Sequence, residues 1–213
     1  MQRVLLILPS ATYRAHDFIA AARDLGVAVT VASDRAAAMS ATMGDRTLML
    51  CSSNPQTAAD AIVARAQDTP FAAIVGVDDQ GVMAAALASE RLGLAHNPPL
   101  AVARTRDKAA MRQAFAHADV PQPRFLVLRA GGDVRAATRE VGLPCVIKPL
   151  SSSASRGVIR ADDPGQARTA AERVRAILAT AGEPAGASLL VESYLPGAEV
   201  AVEGLLRSGR LDE

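Results

Sequence analysis

Residues 143–158 read LPCVIKPLSSSASRGV, an apolar run that ends in a lysine and a proline and passes into a serine-rich loop. Of the 23 Lys and Arg side chains in the chain, only Lys108 and Lys148 are lysine. The segment around Lys148 reads as a strand, Pro144 to Leu150, with VIRAD (158–162) as its hairpin partner. A lysine near the end of a buried strand, beside a loop of Ser and Gly, suits a phosphate. Small residues let backbone N–H groups turn toward an anion, and hydroxyls add donors. A compact ammonium fits against a phosphate where a planar guanidinium does not. At ~4 Å the attraction is about 4 kcal/mol for an effective dielectric of 20. The same residues also suit an edge-strand lysine followed by a solvated turn.

Working outward, the flanks read as alternating strands and helices. Asp163 and Pro164 give an N-cap and first-turn signal for a helix burying Ala167, Ala170, Ala171, Val174, Ile177 and Leu178. Asp133 caps a shorter helix with Val134, Ala137 and Val141 on one face, closed by Gly142. ASLLVESYL (187–195) and EVAVEGLL (199–206) read as the last two strands, joined at Pro196–Gly197. In the latter, Glu199 and Glu203 share a face opposite Val200 and Val202, the pattern of a half-solvated strand. Upstream, one helix is expected from about Arg104 to Ala118. It puts Lys108 on the face of Met111 and Phe115, in the first turn, where the helix dipole disfavours a cation. A lysine so placed either snorkels to water or points into a cleft toward an anion.

The first hundred residues differ. RVLLILP, VAVTVAS, RTLMLCS and FAAIVGVDD are near-continuous apolar strands separated by helices, two of which close at Gly26 and Gly93. That pattern predicts a parallel, doubly wound α/β domain with both sheet faces covered. Such sheets bind ligands at the carboxyl ends of their strands, here PSATYR (9–14) and GVDDQG (76–81). Neither is a G-x-G-x-x-G turn, which argues against a dinucleotide. Asp78 and Asp79 suit either a substrate contact or a cap for a helix starting at Gln80. The prolines after Asn97 mark a boundary, giving domains 1–97 and 98–213, the second of α+β type.

Composition narrows the classes further. Net charge is +1, with four Phe, two Tyr and no Trp, so neither a basic patch nor stacking aromatics point to nucleic acid. No apolar run approaches the ~20 residues of a membrane span. Cys51 and Cys145 each sit in an apolar segment and are expected to be buried thiols of a cytoplasmic protein. The H-R-D and D-F-G motifs of a protein kinase are absent.

Three blocks in order resemble the ATP-grasp enzymes, ligases that join a carboxylate to an amine or thiol. NPPLAVARTRDKAAMRQAFAHADVPQPRF (97–125) is similar to the family's linker and first lysine helix. LPCVIKPLSSSASRGV is similar to its second lysine strand and phosphate-covering loop, and LLVESYLPGAEVAVEGLL (189–206) to its adenine-holding hinge and ribose-contacting acid. The resemblance covers nearly the whole chain, with residues 1–97 as the Rossmann-like domain that precedes the grasp and 98–213 as the front portion of the grasp domain. It implies ATP as the bound nucleotide. Lys108 and Lys148 would contact phosphates. Ser151, Ser152, Ser153, Ser155, Arg156 and Gly157 would belong to a mobile loop over the triphosphate. The backbone of Glu192 and Leu195 would meet the adenine edge, Tyr194 would line the pocket and Glu199 would bind ribose. The implied reaction makes an acyl phosphate from a small-molecule carboxylate for attack by an amine, releasing ADP and phosphate.

Two departures bear on these expectations. The loop is serine-rich where many members are glycine-rich. After the hinge the chain carries only Glu199, Glu203, Asp212 and Glu213, so the Mg²⁺ ligands are expected in a further C-terminal part and none within this chain. Alone, the chain is expected to be incomplete and inactive, with an unpaired strand edge that favours a homodimer. The alternative reading is a nucleotide- or metabolite-binding module without chemistry.

Overall fold

The structure is a computed structural model and describes residues 2–8, 15–35, 46–51, 54–151, 155–184, 186–207 and 209–212. The loop expected after the first strand, residues 9–14, lies outside them. The chain divides into two compact units, Met1–Met111 and Arg112–Glu213.

In the first unit the described strands are β1 (Arg3–Ile7), β2 (Ala28–Ser33), β3 (Thr47–Met49) and β4 (Ala73–Gly76), ordered β3-β2-β1-β4. All three pairings are parallel. The helices are α1 (Ala15–Asp24), α2 (Pro55–Asp68), α3 (Val82–Arg91) and α4 (Pro99–Arg106). Leu5 and Ile7 of β1 pack with Ile74 of β4, Ile62 of α2 and Ala84 and Ala88 of α3 in one buried cluster. α2 starts where Asn54 accepts hydrogen bonds from the Gln56 and Thr57 amides, with Pro55 as the first helical residue. At the other edge of the sheet, a Cβ on Gly76 would stand 2.5 Å from the backbone of Gly81 and Val82, so only glycine lets β4 turn directly under α3.

The helix expected over 104–118 is two helices. α4 ends at Arg106, and α5 (Lys108–His117) starts anew with Asp107 as its cap, whose Oδ1 accepts from Ala109 N at 2.8 Å and Ala110 N at 3.1 Å. The contact division falls inside α5, whereas the sequence reading places the boundary at Asn97. The reason is that α4, which follows the prolines, packs back against α3.

The second unit is antiparallel. β5 (Phe125–Leu128), β6 (Cys145–Pro149), β7 (Ile159–Ala161) and β8 (Leu189–Ser193) are ordered β5-β8-β6-β7. The hairpin read from the sequence is present as β6 against β7. α6 (Val134–Val141) and α7 (Pro164–Thr180) cover one face. Asp133 and Asp163 cap them as expected, accepting from Arg135 N and Gln166 N. Gly142 closes α6 at φ +87°, and a Cβ there would meet the Arg124 guanidinium at 2.5 Å. Leu128, Ile147, Leu189 and Val191 form the core with Ala137, Val141, Ala167 and Val174.

Two further expectations do not hold. Residues 199–204 form no strand; Val200 and Val202 are exposed, and β9 (Leu205–Arg207) pairs instead with β10 (Arg210–Asp212) in a two-stranded ribbon. Alternating Val and Glu satisfies a strand's period, but a strand also needs a partner, and none stands beside these residues among those described. Cys51 is exposed, because it follows β3 at the carboxyl end of the sheet, while Cys145 is buried in β6 and its thiol is pushed up, mainly by burial.

Candidate functional site

The side chains along β8 alternate between the two faces of the second sheet. Leu189 and Val191 enter the core with α6 and α7, which leaves Leu190 and Glu192 on the opposite face. The register pairs Lys148 with Leu190 and Val146 with Glu192, so Lys148 shares that face as a diagonal neighbour of Glu192. β8 is flanked by strands on both sides and its first four residues are buried. A carboxylate there costs heavily unless it is paired.

It is paired twice. The Lys148 ammonium binds Glu192 Oε2, and Arg112 Nε donates to Glu192 Oε1 at 2.5 Å. The side chains of Glu192, Arg112 and Lys148 are 5 %, 15 % and 16 % exposed. Burial by itself would raise the Glu192 carboxyl. The hydrogen bonds and charges of Arg112 and Lys148 outweigh it and hold the group below the usual carboxylate range. Arg112 lies on α5, whose following turn is tied down where Gln122 Nε2 donates to the Arg112 carbonyl at 2.9 Å.

Lys148 has three N–H donors, and Glu192 needs one of them. The cation is therefore anchored by a carboxylate and retains two further donors for an anion. That chemistry fits a phosphate. Beside it, the Arg160 guanidinium lies over the Tyr194 ring at 4.3 Å, and Arg160 Nε donates to Asp162 at 2.8 Å. This cation–aromatic pair stands at the edge of the same sheet, since Arg160 is opposite Val146 across β6–β7.

The other expected site residues are distributed as follows. Ser151 and Arg156 are exposed, Ser155 and Gly157 have φ of +56° and +75°, and Ser152 and Ser153 lie outside the described residues. The backbone of Glu192 stands in register with Phe125 on one side and Val146 on the other. Tyr194 N donates to the Pro144 carbonyl at 2.9 Å. Leu195 is 63 % exposed and Glu199 is exposed. Lys108 is half-buried at the first position of α5. Of the two aspartates after β4, Asp78 accepts from Gln80 N at 3.0 Å in a turn, and Asp79 pairs with Arg106 at 2.7 Å. Both have structural partners, and α3 itself begins later, at Val82.

Arg112 and the Glu192 side chain were not singled out from the sequence for these roles. One signal was available. Arg112 is four residues after Lys108, hence on the same helix face, and Glu192 is the lone carboxylate in the apolar run LLVES.

Comparison with known proteins bears on the same segments. Residues 141–211 match the ATP-grasp domain family, and residues 19–96 match the ATP-grasp N-terminal domain family. The D-alanine–D-alanine ligase of Cupriavidus pinatubonensis is 30 % identical over 136 residues, covering 62 % of this chain and 38 % of that protein. The alanine–anticapsin ligase of Bacillus subtilis is 34 % identical over 116 residues, covering 53 % of this chain and 25 % of that protein. The matched segments thus span well under half the length of these relatives. Among solved structures, an L-amino acid ligase from Bacillus licheniformis superposes with a TM-score of 0.73 at 20 % identity, over 99 % of this chain and 48 % of that one. This last likeness is one of fold.

Proposed function

The chain belongs to the ATP-grasp superfamily, and from that membership we propose that it is the nucleotide-binding part of a ligase that joins a small carboxylate to an amine. The observation that carries the proposal is the Lys148–Glu192–Arg112 cluster on the face of the antiparallel sheet opposite its core. A buried carboxylate holds an ammonium there by one of its three donors, a point charge ready for phosphate oxygens.

ATP, when bound, supplies a phosphoryl group for the carboxylate, with ADP as leaving group, and the amine then displaces phosphate to form the amide. Mg²⁺, when bound, would supply positive charge against that of the phosphates; among the described residues no cluster of His, Cys, Asp or Glu would hold it. Lys148 binds and orients phosphate oxygens. Glu192 fixes the Lys148 stem direction, and Arg112 fixes Glu192. Lys108, at the start of a helix capped by Asp107, is proposed as a second phosphate contact. Ser151–Gly157 are proposed to cover the phosphates, with Tyr194 and Leu195 toward the base and Glu199 toward the ribose. The relatives named as ligases of alanine point to amino acids as the acid and the amine.

The test is ADP release by the whole protein, measured over amino acids supplied in pairs. Release that requires a particular pair supports the ligase. ATP binding with no release under any pair would favour a nucleotide-binding module without turnover.

A further inference from the structure

The cluster joins one carboxylate to two cations through different oxygens, and the division between them is informative. Lys148 holds Oε2 and Arg112 holds Oε1. If Lys148 were the sole partner of Glu192, moving its ammonium toward a phosphate would strand a carboxylate that is 5 % exposed. An unpaired charge at such a place is strongly opposed. The nucleotide would then compete against Glu192 for the lysine.

We propose that Arg112 is a positioning residue that frees Lys148 for the nucleotide: its grip on Oε1 keeps Glu192 paired while the ammonium, still beside Oε2, turns its other donors to a phosphate. The inference rests on the nucleotide reading of the site. Arg112 suits the task where a second lysine would not. Its guanidinium is charged at every physiological pH and less strongly hydrated than an ammonium, so it stays with a buried carboxylate. Its backbone carbonyl accepts from Gln122, which ties the segment after α5 to the part of the helix from which it reaches. No contact between Arg112 and the nucleotide is required. The ligand class it serves is one carrying a β- or γ-phosphate, since an anion must be offered to Lys148.

The experiment uses the chain labelled with ¹⁵N-lysine and ¹⁵N-arginine. Only two lysines are present, so the Lys148 ammonium is assigned by comparison with Lys108→Arg. ATP and AMP are titrated calorimetrically and by NMR into the wild type, Arg112→Met, Arg112→Lys and Arg112→Met/Glu192→Gln. Arg173→Met, at an exposed position of α7, serves as a control for lost charge. In the wild type, ATP is expected to shift the Lys148 ammonium signal while the Arg112 Nε–H signal keeps its place, and AMP to shift neither. Arg112→Met is expected to weaken ATP by about tenfold or more, with the Lys148 signal left at its free position at ATP levels that move it in the wild type. The double variant is expected to recover most of the affinity, and Arg112→Lys little of it, since a strongly hydrated ammonium holds a buried carboxylate less well. The double variant has no buried carboxylate to strand, so it tests the inference even if Arg112→Met fails to fold. Wild-type ATP affinity in Arg112→Met, or no recovery in the double variant, would overturn the inference alone. An absence of ATP binding by the wild type would overturn the proposed function and this inference with it.

Discussion

Each unit holds an arginine–carboxylate pair at the end of a strand or helix, and the two pairs differ in what surrounds them. In the first unit Arg106 and Asp79 meet at 2.7 Å with side chains 36 % and 57 % exposed. In the second, Arg112 and Glu192 meet at 2.5 Å over a carboxylate that is 5 % exposed and already engaged by Lys148. Water competes for the first pair and salt screens it, so its net contribution is about 0–1 kcal/mol. The second cannot be solvated once broken. Similar geometry thus supports a surface contact in one unit and an obligatory, shared charge in the other. The parallel sheet buries apolar strands on both faces. The antiparallel sheet gives one face to its core, while Lys148 and Glu192 stand on the other.

The largest expected effect tests that contrast directly. Arg112→Met should destabilise the second unit by about 3 kcal/mol, the lower end for removing one partner of a buried pair, because Lys148 remains on Oε2. Urea dependence of hydrogen exchange at the β8 amides reads it. Loss of less than about 0.5 kcal/mol would mean that the pair is solvated in practice and the contrast is false.

Acid sharpens the same comparison. The folded Glu192 carboxyl lies below its ordinary value, so the unfolded chain binds its proton first as pH falls. Its contribution is fully present above the unfolded value of about 4.3 and is lost as pH drops through the lower folded value. Unfolding midpoints of the wild type should therefore fall below about pH 4.5, and Glu192→Gln should show a flatter acid limb. Parallel limbs would show that Glu192 is not held in its charged form.

Smaller effects should be alike in the two units, since local capping does not depend on burial of charge. Asn54→Ala in the first and Asp163→Ala in the second should each cost about 1 kcal/mol. Calorimetric melting of each variant checks this. The smallest effect is expected for Arg106→Met, within about 0.5 kcal/mol. A cost near that of Arg112→Met would erase the distinction between the pairs.

What the sequence made legible follows the range of each signal. Asp133, Asp163, Gly142 and the β6–β7 hairpin were readable because a cap or a turn is decided within a few residues. The parallel sheet was readable because strands covered on both faces lose their alternation. The break at Asp107 was not, because an acid inside an apolar period looks like a solvated helix position, and only the structure shows its Oδ1 on two amides. Val200 and Val202 had the period of a strand without a partner for one. Arg112 was overlooked because its one local mark, the spacing of four from Lys108, fixes a shared helix face and no partner. Its partner is 80 residues away, on β8.

The proposal that Lys148 is a phosphate-binding ammonium anchored by Glu192 meets its most direct test in one titration. ATP is added to the wild type, Lys148→Met and Lys148→Arg in a calorimeter, with the fold of each checked by circular dichroism. The expected result is ATP binding by the wild type that weakens at least tenfold in Lys148→Met, about 1.4 kcal/mol, and also weakens in Lys148→Arg, where a planar fork replaces a point charge. Equal ATP affinity in all three folded proteins would contradict it.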